Sequence, residues 1–427
     1  MNVSKKATSA VCAAIFCTAA CAATPEVKLV SATQNPRSSA VVCVYSNDIP
    51  AIVTFDVLTN GVSIGGRNLR YCVGDVNTYV VAGEHTLTWR PDKAWPGQKI
   101  TDGSVQFAVT AWATNAPPDY MALDLEVNGR IAFYPSEGAL PYDVTNDVYR
   151  TTQMLFRKCP AAGVTWRIGS PLTEPGRDST AAREVPHSVS FTEDYYIGVY
   201  PLTQGQYKFI NARRTSAVTY TSYYADSVDS PKYPFYGLNF ADCRGKKVAD
   251  GINWDRENRS LAVSSASLCG LLRTMGGSAV DFDVPTEAQW EYACRAGTGT
   301  AFNNGSDSDM SDVGWYDGNS GGTPHAVGTK NPNAWGIYDM HGLVDEWCRD
   351  WVYWAYENLD AVDPAGSTAA ESTESLGNSL ITKIVRGGNF NSSSVICRSA
   401  RRQQGNAEGA RQSSQGVRFF APAMFHP

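Results

Sequence analysis

Histidine is scarce in this chain, with 5 in 427 residues, and none of them forms an HExxH or otherwise paired spacing. That absence excludes the common pattern of a histidine-held catalytic zinc. No CxxC or CxxH spacing occurs, so a structural zinc site is not expected. No nucleophile elbow or phosphate-cradling glycine loop is read either. Lys and Arg (36) are scattered among Asp and Glu (42), and the net charge is -6. Without a basic stripe, a nucleic-acid partner is not expected. The one long apolar run, Ser9–Ala20, is too short to span a bilayer.

What is present begins with that run. Lys5 and Lys6 precede it and the small-residue triplet Ala20-Cys21-Ala22 follows. Residues 1–23 therefore read as a secretory leader, implying a secreted or periplasmic protein. A lipid anchor on Cys21, which follows Thr18-Ala19-Ala20, is the alternative. Of 11 cysteines, Cys12, Cys17 and Cys21 leave with the leader and eight remain. An exported chain permits disulfides, though eight cysteines allow 105 pairings. A Cys43–Cys72 pair is the one expected, because both residues lie in the β-rich part.

The length predicts two or three domains. Residues 24–150 read as a β-sandwich of immunoglobulin or fibronectin type plus a connector. AVVCVYS, AIVTFDVLT, HTLTWRP, SVQFAVTAW and MALDLEV are β-branched or alternating runs, punctuated by Asn60-Gly61, Gly65-Gly66 and Ala82-Gly83. From residue 151 to 427 the texture changes to glycines, tryptophans and irregular loops. Two helices announce themselves by Thr-x-x-Gln capping boxes at Thr203 and Thr286. In the second, Trp290, Ala293 and Cys294 share one face, so Cys294 reads as core. Ser267–Arg273 reads as a third helix.

The blocks YYIGVYPLTQGQYKFI, FDVPTEAQWEYACRAGT, GWYDGNSGG, NPNAWGIYDMHGLVDEWCRDW, RGGNF, CRSARR and GVRFF occur in that order. In residues and order this part resembles the sulfatase-modifying-factor domain, whose best-known members are formylglycine-generating enzymes. The resemblance covers Thr151–Ala421. It implies a C-type-lectin-like domain with little regular secondary structure, which, following the β-sandwich, gives an α+β class overall. The glycines and tryptophans, and Arg386, Arg398, Arg401 and Arg402 paired with Asp339, Glu346 or Asp350, are expected to form its framework.

The oxidase members of that family use two cysteines, spaced as Ser392 and Cys397 are here, to bind copper(I) and oxidise a sulfatase cysteine. Aligned on Arg386-Gly387-Gly388, the second cysteine falls on Cys397 and the first on Ser392. The family's active-site serine falls on Asn389 and its histidine on Ser393. A hydroxyl is a poor ligand for copper(I), which wants thiolates. Copper is therefore not expected as a cofactor, unless another thiol such as Cys348 approaches Cys397. HGLVDEW departs again, with Leu343 and Asp345 where relatives carry Asn and Trp. Calcium is the cofactor the resemblance allows, with Asp317, Asn319, Asn333 and Asp339 as candidate ligands.

Two functional classes follow. One is a noncatalytic binder of a protein or glycan, using Asn389, Asn391, Ser392, Ser393, Ser394, Gln404 and Gln412 as the ligand-binding surface. In one form it is a variable protein of a diversity-generating retroelement, since Asn, Ser, Val and Ile are all reachable by changing adenines in an Asn codon. The other is a formylglycine-generating-type oxidase.

Overall fold

The structure is a computed structural model describing residues 23–97, 105–127, 129–178, 183–214, 230–246, 262–352, 361–366, 382–409 and 414–425. Nearly all of the leader reading lies outside these residues, as do Gln412, His426 and Trp354.

In the N-terminal part, strands form where the sequence alternates. The strand Val41–Asn47 buries every second residue, the period that puts one face of a pleated strand into a core. It pairs with Val27–Gln34 on one side and Gly83–Trp89 on the other, and Cys72–Gly74 completes that sheet. A second sheet centres on Ala51–Thr59, which pairs with Val62–Ser63, Thr78–Val80 and Val105–Trp112. Cys43, Tyr45, Val53, Phe55, Leu87 and Trp89 from both sheets meet in one buried cluster.

The expected Cys43–Cys72 disulfide does not form, and both thiols are unbonded. Cys43 lies opposite Leu87 and Cys72 opposite Trp89, so the whole strand Gly83–Trp89 separates them. Two strand spacings, on the order of 10 Å, exceed the Cα separation that a disulfide accepts.

A five-stranded antiparallel sheet follows, in the order Ile131–Tyr134, Tyr120–Asp124, Gln153–Cys159, Tyr195–Gly198, Phe420–Pro422. The division expected between residues 150 and 151 runs through this sheet. Tyr120–Asp124 pairs with Gln153–Cys159, with Met121 opposite Phe156, rather than with the N-terminal sheets. Asp124 closes its hairpin by accepting from the backbone N–H groups of Glu126 and Val127 at 2.9 and 3.0 Å. The C-terminal strand Phe420–Pro422 returns to the far edge, so the ends of the C-terminal unit share one sheet.

The helices start where the sequence predicts. Thr203 and Thr286 form complete capping boxes with Gln206 and Gln289, and Ser267 caps Leu268–Met275. The helix Glu287–Arg295 places Trp290, Ala293 and Cys294 fully in the core. It packs beside a four-stranded sheet ordered Gln403–Asn406, Thr382–Arg386, Asp345–Trp351, Gln415–Gly416. That small sheet positions the candidate site.

Candidate functional site

Buried arginines anchor the site from below. Arg386 pairs with Glu287 at 3.2 Å and also with Glu291, which Arg295 shares at 2.9 Å. Arg402 grips Glu287 through two bonds of 2.7 and 2.8 Å. Arg398 makes two 2.9 Å bonds to Glu184 and a third to Glu174, and Arg401 meets Asp178 at 2.7 Å. The expectation of internal ion pairs holds, but its partners need correction. Glu346 belongs to Arg418 at 2.8 Å, Asp350 accepts from the Glu287 backbone N–H at 2.7 Å, and Asp339 accepts from that of Gly328 at 2.7 Å. A buried carboxylate needs a partner close in space, and most of these pairs join residues far apart in sequence.

On this base the chain turns at Gly387 and Gly388, whose φ values of 89° and 71° favour glycine. A Cβ on Gly388 would stand 2.7 Å from the Cys397 sulfur. The thiol is thus sealed under the turn, fully buried among Ala301, Phe302, Met310 and Val313. Burial, reinforced by the carboxylates of Asp345 and Asp317, drives the Cys397 thiol well above its ordinary pKa. Cys348 packs in a different cluster, with Trp290 and Ile384.

Ser392 sits above. Its hydroxyl accepts from the Asn389 backbone N–H at 3.1 Å, and its carbonyl accepts from that of Asp317 at 3.0 Å. Asn389 Oδ1 accepts from the Asn391 backbone N–H at 2.9 Å, closing an Asx turn. Asn391 and Ser393 point outward, Val395 is 41% exposed, and Ser394 is half-buried. Gln404 is exposed on the neighbouring strand. The structure thus gathers Asn389, Asn391, Ser392, Ser393 and Ser394 into one short turn, while Gln412 lies outside the described residues.

One residue outside the predicted surface organises it. Asp345, 5% exposed, accepts from Asn389 Nδ2 at 2.7 Å, Gln403 Nε2 at 3.1 Å and the Ser414 hydroxyl at 2.9 Å. Its backbone N–H donates to the Ser414 carbonyl at 3.0 Å. Burial raises its pKa, and the three donors oppose that rise. The signal in the sequence was an acid between the apolar pair Leu343-Val344 and the Glu346-Trp347 pair.

His341 supports the same turn from inside. Its Nδ1 donates to the Cys397 carbonyl at 2.7 Å, and Nε2 accepts from the Asn303 backbone N–H at 3.1 Å. Burial pushes its pKa down to about 4. The ring is neutral and serves as framework. Gly318–Gly322 does spell Gly-x-Ser-x-Gly, but Ser320 is buried in a turn and donates to the Phe390 carbonyl at 2.6 Å.

The four candidate calcium ligands occupy separate roles. Asn319 Oδ1 accepts from the Tyr316 backbone N–H at 3.0 Å. Asn333 Oδ1 accepts from those of Trp335 and Ile337 at 3.0 and 3.1 Å, behind the Glu287–Arg295 helix. Asp317 is exposed beside Ser392. Asp339 keeps one buried oxygen without a partner.

Residues 165–422 match the sulfatase-modifying factor enzyme 1-like domain. The chain belongs to that family. Among curated relatives it is similar to chaperone protein LppX of Paenibacillus barcinonensis, 26% identical over 216 residues, covering 42% of this chain and 70% of the relative. It is also similar to serine/threonine-protein kinase pkn1 of Chlamydia pneumoniae, 30% identical over 136 residues, covering 32% of this chain. The chain spans only 20% of that kinase's length. Among solved structures it is similar to Treponema denticola variable protein 1 (TM-score 0.44, 21% identity, 66% of this chain and 97% of that one). PvdO from Pseudomonas aeruginosa is similar too (TM-score 0.46, 20% identity, 63% of this chain and 94% of that one). The mixed build of many strands and few helices suits the family, and the N-terminal sheets lie outside the matched span. Among the described residues, no helix is long and apolar enough to cross a membrane.

The family's copper(I) chemistry can be tested against the donors present. One position holds the Ser392 hydroxyl. The other holds a thiol enclosed by apolar side chains and held protonated. Copper(I) favours thiolate sulfur, so this pair does not fit the ion.

Proposed function

We propose that this chain is an exported, non-oxidising member of its family that holds a protein or glycan ligand on the Asn389–Ser413 face. Asn389, Asn391, Ser392, Ser393, Ser394 and Gln404 carry the contacts, with Gln412 in the adjoining stretch. The observation that supports this reading is the state of the two loop positions: Ser392 is a hydroxyl, and Cys397 is sealed beneath Gly388. What the turn offers outward is a set of small polar groups on a braced backbone. Such groups recognise ligands by hydrogen bonds with little loss of side-chain entropy. In this reading the N-terminal two-sheet unit is an immunoglobulin-like spacer or docking module, and residues 1–23 direct export.

The test is a copper(I) competition titration, paired with incubation of a CxPxR peptide with copper and oxygen. Expected are no tight thiol-dependent copper binding, no difference between wild type and Cys397→Ser, and no peptide aldehyde. Aldehyde formation would overturn the noncatalytic reading. A glycan array and a surface-display peptide library then probe the face. Ligands lost in Gln404→Ala and Asn391→Ala support it, and ligands indifferent to both count against it.

A further inference from the structure

A cleft of about 210 Å³ lies where the N-terminal sheets meet the Tyr120–Tyr134 hairpin. Arg70 lines it from the N-terminal side, and Asp124, Arg130 and Tyr134 line it from the C-terminal side. Its one carboxylate is already engaged. Asp124 Oδ1 accepts from two backbone N–H groups of its own turn, and Oδ2 accepts from Gln153 Nε2 at 3.0 Å.

The cations are not so occupied. Arg130 reaches across the cleft to a single, long contact, Nη2 donating to the Val76 carbonyl at 3.5 Å. The Arg70 guanidinium lies 5.3 Å from the centre of the Tyr71 ring. Among the described residues neither forms an ion pair, whereas the nearby Arg67 is paired with Asp143. The Tyr134 hydroxyl also has no hydrogen-bond partner among the described residues. Burial pushes its pKa up to about 12, so it remains a donor at neutral pH.

Arg70, Arg130 and Tyr134, whose side chains are all donors, therefore line one small space. Guanidinium forks bind carboxylate and phosphate oxygens through paired, charge-assisted bonds. At roughly 30 Å³ per water the space holds about seven waters, the bulk of a short organic acid or a phosphate.

We propose that this cleft binds a small anion bearing a carboxylate or phosphate group, bridged between Arg70 and Arg130 with Tyr134 donating to it. The ligand touches both units, so it holds them together and raises the melting temperature by mass action. The proposal is independent of the Asn389–Ser413 reading, since none of the residues involved belongs to that face.

The test is isothermal titration of the full mature chain with inorganic phosphate and, separately, with succinate, at low ionic strength. Saturable binding of at least one is expected, and which one binds tells phosphate from carboxylate ligands. Binding should fall about tenfold in Arg130→Gln and in Arg70→Gln, and the ligand-induced rise in Tm should shrink with it. Both arginines are exposed, so the variants should keep the wild-type circular dichroism. No saturable binding of either anion would overturn the proposal, as would binding that both variants retain.

Discussion

Asn389 Nδ2 donates to the Asp345 carboxylate at 2.7 Å, and this bond joins the polar turn to the sheet beneath it. The same carboxylate collects Gln403 and Ser414, so one buried acid fixes three segments of the candidate ligand face. Asp345→Ala leaves those donors without their acceptor, which costs on the order of 2 kcal/mol. Urea denaturation should register that loss. Hydrogen exchange should quicken in residues 389–397 and 403–406 and at Ser414. Unchanged exchange there would mean that Asp345 is not the organiser.

Gly388 and Cys397 should behave as a coupled pair. Gly388→Ala places a methyl 2.7 Å from the sulfur at a φ of 71°, and a loss of about 2–3 kcal/mol is expected. Cys397→Ala removes the sulfur, so the double variant should recover about 1 kcal/mol relative to the sum of the singles. Strict additivity in a double-mutant cycle would refute the contact.

Asp339 sets a pH dependence. Burial pushes its carboxyl up to about 6, and the Gly328 N–H and Arg418 oppose that rise. The folded state therefore binds this proton more tightly than the unfolded chain, whose Asp titrates near 4. The stability it contributes is complete below about pH 4 and is lost as pH rises through about 6, a change on the order of 2–3 kcal/mol. Asp339→Asn should flatten the stability curve over that window. Asn also tolerates the residue's φ of 57°. A curve of undiminished slope in the variant would assign the titration elsewhere.

Arg398 neutralises two buried glutamates, Glu174 and Glu184. Arg398→Met strands Glu174 and leaves Glu184 with only the Ser170 hydroxyl at 2.7 Å and Arg401 at 3.9 Å, and a loss of about 3–5 kcal/mol is expected at pH 7. The deficit should narrow in acid, where the stranded carboxyls can protonate. Thermal melts at pH 7 and pH 4.5 provide the comparison, and an equal loss at both would argue against charge burial as the cause.

The parts of this fold written locally were legible. A capping box is a contact between residues three apart, so Thr203 and Thr286 marked their helices, and the spacing of Trp290, Ala293 and Cys294 marked the buried face. Alternation in Val41–Asn47 likewise identified a strand with one core side. The identity of its neighbour was a different matter. Tyr120–Asp124 has the same β character, yet it joins the C-terminal sheet, because its register with Gln153–Cys159 is a contact between distant parts of the chain.

The sequence by itself determined the family, the helix starts and the substitution of Ser392 for a thiol, because each rests on residue identity at short range. The tertiary structure alone decided which glutamates hold Arg386, Arg398 and Arg402, that Cys43 and Cys72 stand a strand apart, and that Asp345 gathers the ligand face. Those outcomes depend on where the backbone brings remote side chains together. Burial then makes charge partners obligatory and disulfide geometry strict, and neither condition is written in spacing along the chain.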